Sequence, residues 1–208
     1  MSYESTLSRV ETYFDKTATR TWERLTSDAP VSKIRETVRR GREAMRAQIL
    51  GRLGEDLTGV RVLDAGCGAG PMTAELAQRG AEVVAVDISP SLVKIAEARL
   101  PEGCRRRVTF AAGDMLDPAR GRFDHVVAMD SLIYYRLPDL ARALDGLARR
   151  TEGRVVFTVA PRTPLLMAMW QAGRPFPRSD RSPTMVPHAP ERLARALQIR
   201  TVTNRRPA

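Results

Sequence analysis

A chain of 208 residues, 43% apolar and 28% charged, is long enough for one domain with a real core and too short for two of ordinary size. Two cysteines exclude a disulfide scaffold and suit a reducing, cytoplasmic setting. The N-terminus lacks the basic and apolar regions of a signal peptide, and no apolar run reaches the roughly 18–20 residues of a membrane helix. The net charge of +10 is carried by arginine, with lysine only at Lys16, Lys33 and Lys94. Such a surface attracts nucleic acid, anionic lipid or a carboxylate-bearing ligand, and charge alone does not choose among them.

In chain order, Tyr3 to Leu25 reads as one or two short helices carrying Tyr13, Phe14 and Trp22. Ile34 to Leu53 reads as a longer helix, apolar at Ile34, Val38, Met45, Ile49 and Leu53. Its other face is basic (Arg35, Arg39, Arg40, Arg42, Arg46), and Gly51 and Gly54 are expected to end it. Residues 1–54 are therefore expected to form a helical lid or cap, and 55–208 a ligand-binding core. In the core, strands alternate with helices. The expected strands are Val60–Leu63, Val83–Val86, Val108–Ala111, Phe123–Met129 and Arg154–Val159; the expected helices are Met72–Gln78, Leu92–Arg99, Leu140–Arg149, Pro164–Gln171 and Glu191–Ala196. The pattern predicts an α/β fold, a doubly wound parallel sheet with helices on both faces. Gly173 to Pro190 reads as a long proline-rich loop, and Ile199–Thr203 as a last strand. After it there is no room for an antiparallel partner, so a C-terminal hairpin is expected to be incomplete.

The run Val60 to Gly70 carries the most information. An apolar strand ends in Asp64-Ala65, and Gly66-Cys67-Gly68-Ala69-Gly70 follows before the next helix. Glycines tolerate positive φ and let a ligand lie against bare backbone. A dinucleotide fingerprint requires G-x-G-x-x-G; here the third glycine comes early and Pro71 stands in its place. Asp64 would repel a pyrophosphate but accept a hydrogen bond from a cationic amino group. Together these features favour S-adenosyl-L-methionine, with a zwitterionic tail and a positive sulfur. Asp87, at the end of the second strand, is placed to accept both ribose hydroxyls. Ile88 and Met115 are placed to sandwich the adenine, and Asp114 to accept from its amino group. Asp130, in Met129 to Tyr135 after the fourth strand, falls where methyl group and acceptor should meet. No Asn/Asp-Pro-Pro-aromatic run stands there and neither cysteine is placed to attack a pyrimidine, so nucleic acid is not the expected acceptor. No cluster suggests a protein-bound metal.

Several segments resemble magnesium-protoporphyrin IX O-methyltransferases, a family of the class I S-adenosylmethionine-dependent methyltransferases with a Rossmann-like core. They are Val10-Glu11-Thr12-Tyr13-Phe14-Asp15-Lys16-Thr17-Ala18 with Trp22, Asp64 to Gly68, Val86 to Ser89, Met129 to Tyr135, Phe157 to Pro164, and Pro187-His188-Ala189. The resemblance implies methylation of one propionate of Mg-protoporphyrin IX in (bacterio)chlorophyll biosynthesis. Tyr13, Trp22, Arg162 and His188 become candidate substrate contacts. Tyr134, where many members carry histidine, becomes the candidate catalytic group. The family also implies a magnesium chelatase large subunit as partner and peripheral contact with a photosynthetic membrane. Rival readings are a methyltransferase for another small molecule, an RNA-binding methyltransferase, and a non-catalytic porphyrin carrier.

Overall fold

The computed structural model describes residues 3–15, 33–160 and 185–203. Five strands form one parallel sheet: β1 (Arg61–Ala65), β2 (Glu82–Asp87), β3 (Val108–Ala112), β4 (Phe123–Ala128) and β5 (Thr151–Phe157), in the order β3-β2-β1-β4-β5. Both faces are covered, so neighbouring residues in one strand pack into different layers, as period-2 alternation requires. Val62, Val83, Ala85 and Val127 join a core with Leu50 and Leu76. Leu63, Val84, Val86 and Val126 join a second core with Leu140, Leu144 and Leu147.

The helices are α1 (Tyr3–Tyr13), α2 (Lys33–Leu53), α3 (Pro71–Gln78), α4 (Pro90–Arg99), α5 (Leu137–Ala148) and α6 (Pro190–Thr203). Proline opens α3 and α4, where its missing N–H costs nothing. Ser89 caps α4 by accepting from Leu92 N at 3.3 Å. The expected α/β doubly wound class is what the chain forms. Two local expectations are corrected. Gly51 does not stop α2, which runs on to Leu53 and ends at Gly54, with φ +119. Ile199–Thr203 is not a strand but the last part of α6. Its β-branched residues continue a helix already begun at Pro190, and adding one residue to a formed helix is far easier than starting a new element. Trp22, Arg162 and the expected helix Pro164–Gln171 lie outside the described residues.

His125 interrupts the β4–β5 ladder. Its Nδ1 accepts from Arg154 N at 3.0 Å, and the register shifts between Phe123 and His125. Gly153 stands opposite, where a Cβ would fall 2.5 Å from His125 Cε1. This histidine is spent on the sheet, at the end of β4 remote from the glycine turn. No helix among the described residues is long and apolar enough to cross a membrane.

Candidate active site

Strand order reverses beside β1, which pairs with β2 on one side and β4 on the other. In sheets of this kind ligands sit in the crevice beyond the carboxyl ends of the strands at that reversal. A pocket opens there, with Asp64, Gly66, Gly68, Asp87, Met115 and Asp130 among its walls.

The glycine turn is held by Gly66 N and Cys67 N, which donate to Val86 O at 2.8 and 3.0 Å. Its three glycines have different reasons to be glycine. A Cβ at Gly66 would lie 2.2 Å from Ser131 Cβ, and one at Gly70 would lie 2.9 Å from Ala96 Cβ on α4. Both answer to the protein's own packing. Gly68 (φ +56) would meet nothing within 4 Å, and it lines the pocket. The room beside it is available to a ligand pressed against the backbone, so the turn fits an adenosyl-type ligand.

Asp87 is buried, with Oδ2 accepting from Gly68 N at 2.8 Å and Oδ1 from Ser89 N at 2.9 Å. Burial raises its carboxyl above the usual range, against the pull of those N–H groups. A carboxylate has about four acceptor sites; with two given to the backbone, two are left for a pair of vicinal hydroxyls. Ile88 and Met115 line the same wall. Asp114 is turned aside: its Oδ1 accepts from Tyr3 Oη at 2.7 Å and from Leu116 N at 2.8 Å, while Gly113 and Met115 on either side reach the pocket. Tyr3 also stacks on Tyr135, ring centroids 5.0 Å apart.

Asp64 is 1% exposed and accepts from Thr73 Oγ1 at 2.6 Å on the first turn of α3. Burial, reinforced by the charge of Asp87 and opposed by Thr73, lifts its pKa to about 7. The folded value lies above the unfolded value of about 3.9, so the folded state holds a proton that the unfolded state has lost. The stability this proton contributes is present below about pH 4 and disappears as pH rises to about 7. The Tm of the ligand-free protein is therefore expected to fall between pH 5 and 8, and that of Asp64→Asn to fall less. The difference should reach at least about 2–4 °C, the equivalent of about 1 kcal/mol in a domain of this size. Parallel melting curves would refute the raised pKa.

Asp130 is the one non-glycine residue with positive φ (59°) among the described residues. Its N–H donates to Thr158 Oγ1 at 2.7 Å, and Arg42 Nη1 donates to its Oδ2 at 2.5 Å. Such a backbone conformation persists only where the surroundings over-determine it, commonly at binding sites. Arg46, one turn along α2, pairs with Glu75 on α3. Arg42 and Arg46, expected on an outward basic face, both reach the pocket. Their i, i+4 spacing beside Met45 and Ile49 was the available signal, since it puts them on one flank of the apolar stripe.

α1 and the residue after it form one side of the pocket. Leu7, Val10 and Phe14 line the pocket, and Phe14 meets Tyr134 edge-on at 6.2 Å. Asp15 accepts from Ser89 Oγ at 2.8 Å and Ser91 N at 3.3 Å, which ties the end of α1 to the start of α4 and lowers its carboxyl pKa. Tyr134 is buried in the pocket wall. Tyr13 stands edge-on to Phe14, 5.1 Å away, rather than in the wall. His188 is buried with Nε2 3.0 Å from Tyr135 O, and its own N–H donates to Ala160 O. Its ring braces the loop behind the tyrosines and does not line the pocket. No group of metal ligands occurs among the described residues.

Residues 62–152 match the family model described as "Methyltransferase domain", and residues 128–207 match "Magnesium-protoporphyrin IX methyltransferase C-terminus". The chain is 61% identical over 194 residues to a magnesium-protoporphyrin O-methyltransferase of Rhodobacter capsulatus, covering 93% of this chain and 87% of that one. It is 30% identical over 183 residues to the protein of that name in Synechocystis sp., covering 86% and 79%. Among solved structures it resembles the magnesium protoporphyrin IX methyltransferase of Synechocystis PCC 6803 with bound SAH, at TM-score 0.76 and 27% identity, over 92% of this chain and 87% of that one. Identity of that order across nearly the full length of both chains places this protein in the magnesium-protoporphyrin O-methyltransferase family.

Proposed function

We propose that this protein transfers a methyl group from S-adenosyl-L-methionine to a propionate carboxylate of Mg-protoporphyrin IX, giving the monomethyl ester in (bacterio)chlorophyll biosynthesis. The observation that carries the reading is the family match, which runs through the glycine turn and on into residues 128–207. S-adenosylmethionine supplies an electrophilic methyl group on a positively charged sulfur. Gly66 and Gly68 would hold the donor against the turn, Asp87 its ribose, and Ile88 and Met115 its adenine, while Gly70 sets the turn against α4 and Asp114, tied to Tyr3 and Leu116, acts only by supporting that wall. Asp64 and Asp130 would face the cationic tail.

The acceptor needs little activation. A carboxyl with an ordinary pKa near about 4.3 is ionised at neutral pH, so no general base is required. The protein's contribution is alignment, worth up to about 7–11 kcal/mol, and exclusion of water from a reaction in which opposite charges cancel. Leu7, Val10 and Phe14 support that second task, as the apolar underside of a lid formed within residues 1–54. Tyr134 would orient the acceptor carboxylate with its hydroxyl. Tyr13, Trp22, Arg162 and His188 are assigned to the substrate side by the resemblance. For His188 that role would be indirect, through the Tyr135 carbonyl that its ring meets.

The reading extends to delivery of the substrate by a magnesium chelatase large subunit and to peripheral contact with a photosynthetic membrane. Its support is the net charge of +10 and the exposed Arg40, Arg52, Arg105, Arg106 and Arg107. The test is incubation with methyl-labelled S-adenosylmethionine and Mg-protoporphyrin IX. One label per macrocycle, released by alkali as an ester must be, is the expected result. Porphyrin binding without label would favour a carrier.

A further inference from the structure

α2 descends along the sheet from its carboxyl end. Near the middle of the helix Arg42 meets Asp130, two residues beyond the end of β4. Further down, Arg46 meets Glu75 on α3, and Arg154 of β5 donates to Arg52 O. The turns before Arg42 therefore project past the head of the sheet, and Glu36, Thr37, Val38, Arg40 and Gly41 in them are exposed. Val38 is 47% exposed and stands on the same flank as Arg42, one turn or about 6 Å further out. On the other face of the sheet, the segment before α6 runs along the loop after β4. Val186 N donates to Ile133 O at 2.8 Å, and the His188 ring meets Tyr135 O. Met185, beside Val186, is 45% exposed. α2 packs in the core layer of Leu50 and Leu76, and α6 packs through Leu193 in that of Leu140 and Leu144. Val38 and Met185 thus flank the head of the sheet from its two faces, with Tyr134 in the pocket wall on the loop that Val186 joins.

We propose that Val38 and Met185 are apolar jaws that hold the acceptor macrocycle over the donor and so set the acceptor's affinity. The proposal rests on Mg-protoporphyrin being the acceptor. A single apolar side chain on a surface needs no explanation. These two are the large apolar side chains left exposed among the described residues, and both stand at the head of the sheet, where the crevice opens. A flat apolar ring with two carboxylate arms has to leave water while one arm reaches down to the methyl group. The ring then needs apolar contact outside the donor pocket, and the second arm needs a cation. Lys33 to Gly41, the projecting start of α2, holds four basic residues and one acidic residue. Aliphatic jaws beside basic helical turns match an apolar dianion. A single-stranded nucleic acid would instead require aromatic platforms for its bases.

Steady-state kinetics on the full chain, with S-adenosylmethionine and Mg-protoporphyrin IX, tests this. Val38→Ser and Met185→Ser are each expected to raise the KM for Mg-protoporphyrin by at least about fivefold through lost apolar contact. kcat should change by less than about twofold, because binding common to ground state and transition state is what is removed. Val38→Leu and Met185→Leu keep an apolar surface and should stay within about twofold of the unaltered protein in KM. Both positions are exposed, so folding should be unaffected, and calorimetry with S-adenosylhomocysteine checks that the donor site is intact. An unchanged KM in either serine variant overturns the proposal, as does an equal loss of S-adenosylhomocysteine affinity. Absence of methyl ester with the unaltered protein would overturn the acceptor reading itself, whereas ester formation with unchanged KM in the variants overturns the jaws alone.

Discussion

Asp87→Ala is expected to lower S-adenosylhomocysteine affinity by at least about 100-fold. Two ribose hydroxyls bound to one carboxylate are two charge-assisted hydrogen bonds, each worth about 1.5–3 kcal/mol, or about 3–6 kcal/mol together. At 1.4 kcal/mol per decade that is a loss of about 100-fold or more. A second effect acts in the same direction. The same carboxylate holds Gly68 N and Ser89 N, and so fixes the turn against the start of α4. Without it those N–H groups lose their partner and the turn loosens. Asp87→Asn keeps one acceptor oxygen and should lose less, about tenfold. Calorimetry checks both values, with melting curves to show that the variants are folded. A loss under about threefold for the alanine variant would remove Asp87 from the ribose site.

The glycines of the turn should separate stability from binding. In Gly66→Ala the new methyl would lie 2.2 Å from Ser131 Cβ at a φ of +90°. Left-handed backbone costs a non-glycine residue about 1–2 kcal/mol, and overpacking adds about 1–3 kcal/mol. A loss of about 3 kcal/mol corresponds to a Tm drop of about 6–12 °C. The clash cannot relax cheaply, since Ser131 is itself bonded to the β1 carbonyl of Ala65. Gly68→Ala meets only the backbone cost, about 1–2 kcal/mol, because no atom lies within 4 Å. Its methyl would instead occupy the ligand's ground, and donor affinity should fall by at least about tenfold. Equal Tm losses in the two variants, or undiminished donor binding by Gly68→Ala, would contradict this division of roles.

The sheet was legible because its strands are buried on both faces: Val83 to Val86 is a continuous apolar run with only one sensible reading. Asp64 and Asp87 were legible because a carboxylate at the end of such a strand, next to glycines, cannot face the core without purpose. Residues whose meaning depends on a distant partner were not legible. Thr73 shows itself as the ligand of Asp64 only once α3 is folded back over β1. Arg42 looked like surface charge because a helical wheel does not say that a strand terminus 88 residues away carries its counter-ion. His188 looked like a substrate contact because a proline-rich loop gives no direction to a side chain; folding turns it inward onto Tyr135. Ile199 to Thr203 looked like a strand because β-branched residues prefer one, and the helix begun at Pro190 overrode that preference.

The crevice at the head of the sheet suits a sulfonium nucleoside with a charged tail, and competition calorimetry on the unaltered protein can show which nucleoside it takes. S-adenosylhomocysteine should bind with one-to-one stoichiometry, and a large excess of NADH should not displace it. Binding of NADH in that crevice with none of S-adenosylhomocysteine would contradict the account.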